Sequence, residues 1–157
     1  MTKEHDIYRA AASKAVMRSV RYFAQFTVLD YEDMFFGVIQ PGWDVERGDE
    51  AEKRDGHCFY DTLDGRCYPG RAGPGRRDWE GMQNAQEQGD RISMLLDLDQ
   101  GSMTVWKDDV RLGVMVAEGL RGPLCWAVSL YYGAARIESA PILAALESVP
   151  SSSDDEQ

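Results

Sequence analysis

A chain of 157 residues is the size of one domain, long enough to bury about 70% of the surface it exposes when unfolded. Its 43% hydrophobic content, with 4 Trp, 7 Tyr and 5 Phe, excludes a disordered or fibrous polypeptide. The net charge is −10; Asp154, Asp155 and Glu156 carry three of those charges, leaving about −7 elsewhere, a poor match for a phosphate backbone, so no nucleic-acid partner is expected.

Residues 3–15 read as a charged, Ala-rich lead-in of at most a helical turn or two. Residues 1–15 carry Lys3, Glu4, Asp6, Arg9 and Lys14 and no continuous apolar core, so no secretory signal is read there. No window approaches the ~18–20 apolar residues of a membrane span, and no membrane partner is expected. Cys58, Cys67 and Cys125 cannot all pair within one chain, which points to reduced thiols in cytoplasm or nucleus.

Residues 16–149 then read as a single domain. Val20, Tyr22, Ala24, Phe26 and Val28 alternate with Arg21, Phe23, Gln25 and Thr27, the period-two pattern of a strand with one buried face. Residues 34–39 are apolar throughout with Gly37 inside them, which predicts an inner strand approached closely by another backbone. The run 44–55 is charged without apolar period and is read as a solvated loop. A short strand is predicted over 57–60, and the loop 69–77 contains the one local basic cluster, Arg71, Arg76 and Arg77.

The strongest pattern lies between Gly89 and Leu130. Ile92, Met94, Leu96 and Leu98 alternate with Ser93, Leu95, Asp97 and Asp99; Met103 and Val105 alternate with Thr104 and Trp106; Val110, Leu112 and Val114 alternate with Arg111, Gly113 and Met115. Short polar breaks at residues 99–101 and 107–109 have hairpin length, so the stretch predicts a β-meander. Leu124, Trp126, Val128 and Leu130 add a fourth strand, and a last one is placed around 136–138. Residues 141–149 read as a short apolar helix, and 150–157 as a disordered Ser/Asp/Glu tail.

Candidate chemistry is sparse. His57, Cys58, Cys67 and Cys125 are zinc-compatible types without zinc-ligand spacing, and Asp97-x-Asp99-x-Gly101 reads as a hairpin turn rather than a calcium loop, so neither metal nor cofactor is expected. No nucleophile elbow is present. Exposed-looking aromatics carry the stronger signal. Trp43 follows Pro41-Gly42 among acidic neighbours, while Tyr131 and Tyr132 end the 124–130 strand and meet Gly133. Tyr and Trp at the loop ends of a rigid scaffold suit recognition of another protein.

The order Gly89-Asp90-x-Ile92, Leu96-Asp97-x-Asp99-x-Gly101, Lys107-Asp108-Asp109, Leu112-Gly113-Val114, then Pro123-x-x-x-Ala127-Val128-Ser129, together with 22–28 and 36–39, resembles the SPRY domain over roughly residues 20–138. The resemblance covers a SPRY core without a PRY segment. It implies an all-β fold, an antiparallel β-sandwich of the concanavalin A-like or jelly-roll type built from two packed sheets. It implies a non-enzymatic protein-interaction module, acting as a monomer, that binds a partner peptide or loop in a shallow edge pocket. Matched to the family's loops, Trp43, Tyr131, Tyr132 and Gly133 fall in that pocket, with Arg71, Arg76 and Arg77 steering an acidic ligand. The alternative is a lectin-like sandwich that binds or hydrolyses glycans, which would need two carboxylates roughly 5–10 Å apart in one cleft.

Overall fold

Alternation on this scale leaves each strand with one apolar row, and two such surfaces exclude water only by closing on each other. A computed structural model of the chain describes residues 9–13, 15–42, 56–68, 77–130 and 133–141. Every regular element among them is a strand: β1 (Arg9–Ala12), β2 (Arg21–Asp30), β3 (Met34–Ile39), β4 (Cys58–Asp61), β5 (Cys67–Tyr68), β6 (Arg91–Asp97), β7 (Ser102–Lys107), β8 (Val110–Val116), β9 (Cys125–Leu130) and β10 (Ala134–Pro141). They form two five-stranded sheets, β1-β9-β3-β4-β5 and β10-β2-β6-β7-β8, antiparallel throughout. The fold is the predicted antiparallel β-sandwich.

The predicted inward rows meet in the middle. Ala24, Phe26 and Val28 of β2 and Ile92, Met94 and Leu96 of β6 share one core with Met34, Phe36 and Val38 of β3 and Trp126 and Val128 of β9. Phe26 stacks on Phe36 with ring centroids 4.8 Å apart, and it meets Trp126 edge-on at 5.9 Å. These rings come from opposite sheets, so they set the spacing between the layers. All of β3 is buried, because Phe35 and Ile39 face a second apolar cluster with Phe59, Cys125 and Ala127 on the sheet's outer side. Gly37 fits the close-approach expectation: a Cβ there would strike the Cys58 carbonyl oxygen in β4.

The meander β6-β7-β8 is as predicted. Asp108 and Asp109 both take positive φ, 49° and 72°, the conformation of a tight two-residue hairpin turn more often made by Asn-Gly. Arg91 holds that turn through paired bonds to the Asp109 carboxylate at 3.1 and 3.0 Å.

Three expectations change. The lead-in is not helical at residues 9–12; it adds an edge strand, β1, whose Ala10, Ala11 and Ala12 pair with Ser129, Val128 and Ala127. Alanine is helix-favouring, but the open edge of β9 offers a ladder of backbone bonds that an isolated turn cannot match. The strand ending at Leu130 leaves the meander's sheet and sits in the other, between β1 and β3. In β8 the row Val110, Leu112, Val114 is not inner throughout: Leu112 packs half-buried against the core, but Val110 and Val114 are exposed, whereas Met115 and Val116 are buried. Two register irregularities against β7 shift the strand's phase. The predicted helix over 141–149 falls outside the described residues beyond Pro141, as do the charged run 44–55, residues 69–76 and the tail.

The register gives the sandwich two distinct ends. Ile39 pairs with Cys125, so Gln40 emerges where β9 begins; the turn 98–101 and the β8–β9 connection lie at this end too, since Leu120 N–H donates to Gly101 O at 3.1 Å. At the other end Met34 pairs with Leu130 and Ala134 with Asp30.

Candidate functional site

Antiparallel strands deliver their connections to the ends of the sandwich, and at the Gln40 end three of these, β3–β4, β5–β6 and β8–β9, converge. They surround a cavity of about 330 Å³. Gln40 closes it from the end of β3; Gly56, His57 and Cys58 from the entry to β4; Arg77 from beside β5; Val116 and residues 118–121 from the β8–β9 connection. The last of these walls is held in place by backbone packing. A Cβ on Gly101 would come 2.7 Å from Gly119 N, so only glycine lets the 98–101 hairpin support this connection. Arg77 is fixed at the backbone by a reciprocal bridge with Cys67, Arg77 N to Cys67 O at 2.8 Å and Cys67 N to Arg77 O at 2.9 Å.

The charge at this pocket differs from that on the neighbouring surface. Arg66 pairs with Asp64 and Asp78, Arg91 with Asp108 and Asp109, and Lys107 with Asp90. Arg77 and Arg121, both exposed at the pocket, have no carboxylate partner among the described residues, and Glu118 is the one acid among the lining residues. Such a mouth can receive a carboxylate with donors already in place.

Below Arg77 lie two thiols. The sulfurs of Cys58 and Cys67 are 4.0 Å apart and buried. The hydrogen bond with Cys67, then burial, push the Cys58 thiol well above its ordinary range; the same bond, together with the Arg77 charge, lowers Cys67. Cys125 belongs to the cluster on the far side of the sheet, away from both. Among the described residues no group of three or more His, Cys, Asp or Glu side chains is placed to hold a metal ion.

Of the residues singled out from sequence, Arg77 lines this pocket and Gly133 is at the other end of the sandwich. Trp43, Arg71, Arg76, Tyr131 and Tyr132 lie outside the described residues. Gly133 has φ 81°, and a Cβ on it would come 3.1 Å from Glu32 N, so it packs on the β2–β3 turn. Gln40 and Gly56, which bracket the segment carrying Trp43, stand instead at the pocket. The single pocket expected between Trp43 and the 131–133 corner thus draws on segments that leave the β3–β9 pair at opposite ends, roughly 17 Å apart along a six-residue strand. Antiparallel pairing is the reason: β3 leaves the sheet where β9 enters it. Sequence reasoning did not single out Gln40, Glu118 or Arg121. The one signal in the sequence was the pair Gly119 and Gly122 between β8 and β9.

The Gly133 end holds a pair of acids. Asp61 is 2% exposed. Burial, then a hydrogen bond with Asp33, raise its carboxyl to about 8, against a weaker opposing bond from Leu63 N–H at 2.9 Å. Thr62 Oγ1 ties this end together, accepting from Met34 N–H at 3.1 Å and donating to Met34 O at 2.9 Å. Two carboxyls in hydrogen-bond contact share a proton; they are closer than the roughly 5–10 Å at which glycosidase carboxylates flank a sugar. Among the described residues no helix is long and apolar enough to cross a membrane.

No protein-family model matches the sequence, and no curated protein matches it. Solved structures do. The SPRY domain of human HERC1 superposes with a TM-score of 0.65 at 16% identity, over 87% of this chain and 84% of that one. A human SPRY domain gives 0.63 at 16%, over 85% and 84%, and the PSpry domain of TRIM65 gives 0.60 at 12%, over 83% and 68%. Identity this low speaks for architecture alone. Sheet order, register and superposition agree that this chain has the SPRY fold, a concanavalin A-like sandwich of two antiparallel sheets.

Proposed function

We propose that the chain is a non-enzymatic protein-interaction module that receives a peptide or surface loop of another protein in the pocket at its Gln40 end. The observation that supports this reading most is the convergence of three connections on a 330 Å³ cavity whose two arginines, on an acidic protein, lack carboxylate partners among the described residues. Rigid strands fix the walls while the connections supply the chemistry, as recognition sites require. Arg77 and Arg121 take an acidic side chain of the ligand, and Arg71 and Arg76, just before Arg77 in sequence, extend the positive field. Trp43 supplies the apolar anchor, on a segment whose bracketing residues Gln40 and Gly56 stand at the rim. Gly133, which Tyr131 and Tyr132 directly precede in sequence, stands at the other end. Three free buried cysteines suit a reducing compartment such as cytoplasm or nucleus.

Peptides selected by the wild-type chain from a displayed random library should be enriched in Asp or Glu. Against the best of them, Trp43→Ala and Arg77→Ala should each weaken binding by about 1–3 kcal/mol, measured by calorimetric titration, as hot-spot truncations do. Tyr132→Ala tests the opposite rim and should leave this affinity unchanged. If Trp43→Ala and Arg77→Ala keep the wild-type unfolding midpoint and bind unaltered, the pocket is not the recognition site.

A further inference from the structure

We propose that Cys58 and Cys67 form a dithiol that a peroxide oxidises, through the pocket, to a disulfide, and that this bond lowers the pocket's affinity for its ligand. The link to affinity rests on the recognition site proposed above; the disulfide itself does not.

The register brings the two together. Tyr60 lies opposite Cys67, and Cys58, two residues from Tyr60, points to the same inward face and is the diagonal neighbour of Cys67. Their sulfurs must close from 4.0 Å to the ~2.05 Å of a disulfide. The shorter partner can supply that movement. β5 is two residues long and at the edge of its sheet, held by β4 on one side and, among the described residues, by the single Arg77 bridge on the other. Both side chains are fully buried and Cys58 is among the residues around the cavity, so a small neutral oxidant such as hydrogen peroxide reaches the pair from the cavity when the two-residue edge strand β5 parts from β4. Arg77, hydrogen-bonded to the Cys67 side chain, stabilises the negative charge that the pair shares.

The reaction closes without any other reagent. With the shared proton on Cys58, the Cys67 thiolate attacks one peroxide oxygen; an S–O bond forms, the O–O bond breaks, and the departing hydroxide takes the Cys58 proton and leaves as water. The Cys58 thiolate then attacks the sulfenyl sulfur of Cys67. The S–S bond forms, the S–O bond breaks, and hydroxide leaves, taking a proton from solvent. Two electrons pass from the sulfurs to the peroxide, which becomes two waters. Cys67 then no longer holds the Arg77 side chain, and β5 is drawn towards β4, so the guanidinium that receives the ligand's carboxylate is displaced.

The test treats the full chain with hydrogen peroxide, blocks remaining thiols with an alkylating reagent under denaturing conditions, and digests with trypsin. Cleavage after Arg54, Arg66 and Arg71 puts the two cysteines on separate fragments, 55–66 and 67–71. The expected product is 2 Da lighter, alkylated only at Cys125, with those fragments joined and released by dithiothreitol. Cys125→Ser, far from the pair, should give the same crosslink. Oxygen adducts on either sulfur without a crosslink, or dimers linked through Cys125, overturn the site. The selected acidic peptide should bind the oxidised chain about fivefold or more weakly and recover on reduction. A crosslinked chain with unchanged affinity overturns the coupling, while loss of binding in Arg77→Ala would leave the recognition site standing.

Discussion

Gly37→Ala is expected to leave almost no soluble folded protein. Gly37 lies at the centre of β3, paired with Phe59 on one side and Ala127 on the other. A Cβ there would collide with the Cys58 carbonyl oxygen and come 2.8 Å from the Phe59 Cα. Both obstacles are backbone of β4, so relief requires opening the β3–β4 ladder, which carries Phe36 and Tyr60 into the core. The cost should exceed about 3 kcal/mol, a large part of the ~5–15 kcal/mol that holds a domain together. Gly42→Ala is the control. No atom lies within 4 Å of its Cβ, and only its φ of 81° opposes the change, so about 1–2 kcal/mol is expected. Soluble yield and urea midpoints from tryptophan fluorescence decide it; a Gly37→Ala midpoint within error of wild type would show that β3 and β4 are not packed this closely.

Stability should fall as pH rises from about 4 to 8, opposite to the usual behaviour of a paired carboxylate. Asp61 titrates near 8 in the folded chain, against 3.8 ordinarily, because burial and the hydrogen bond to Asp33 favour its protonated form, and Asp33 and Asp64 add like charge. A raised folded pKa means that the native state binds the extra proton throughout that window. The stabilisation is therefore complete below pH 4 and lost as pH passes through 8. The loss should amount to about 2–4 kcal/mol. Asp61→Asn keeps the oxygen that accepts from Leu63 N–H and offers Asp33 a permanent donor. The variant should match wild type near pH 4.5 and exceed it by about 2 kcal/mol at pH 8. Urea melts at several pH values measure this directly, and a wild-type profile flat or rising from pH 5 to 8 would contradict a buried, proton-sharing pair.

How much could be read without coordinates follows from the range of each interaction. The rows 92–98, 103–106 and 22–28 were legible because side-chain direction alternates locally along any strand, and Gly37 stood out as a gap in an apolar run. Pairing with distant strands was not local, and it decided the rest. β1 became a strand because β9 had an open edge, Val114 turned outward because β8 slipped against β7, and β9 joined β3 rather than the meander. Asp33 and Asp61 drew no notice, being 28 residues apart and joined only when β3 and β4 align.

The candidate site divides in the same way. Arg77 was visible as part of a basic cluster, and Trp43 as an aromatic beside a turn. That Arg77 shares a cavity with Gln40, Cys58 and Arg121, and that Gly133 stands at the far end, follows from the antiparallel order of β3 and β9. Composition and periodicity by themselves determined antiparallel strands with one buried face each, because side-chain direction alternates along any strand; the two-layered sandwich was what the resemblance implied. Which loops meet at which end was decided by the tertiary structure alone, since strand order and register are fixed by contacts between residues that carry no mark of one another along the chain.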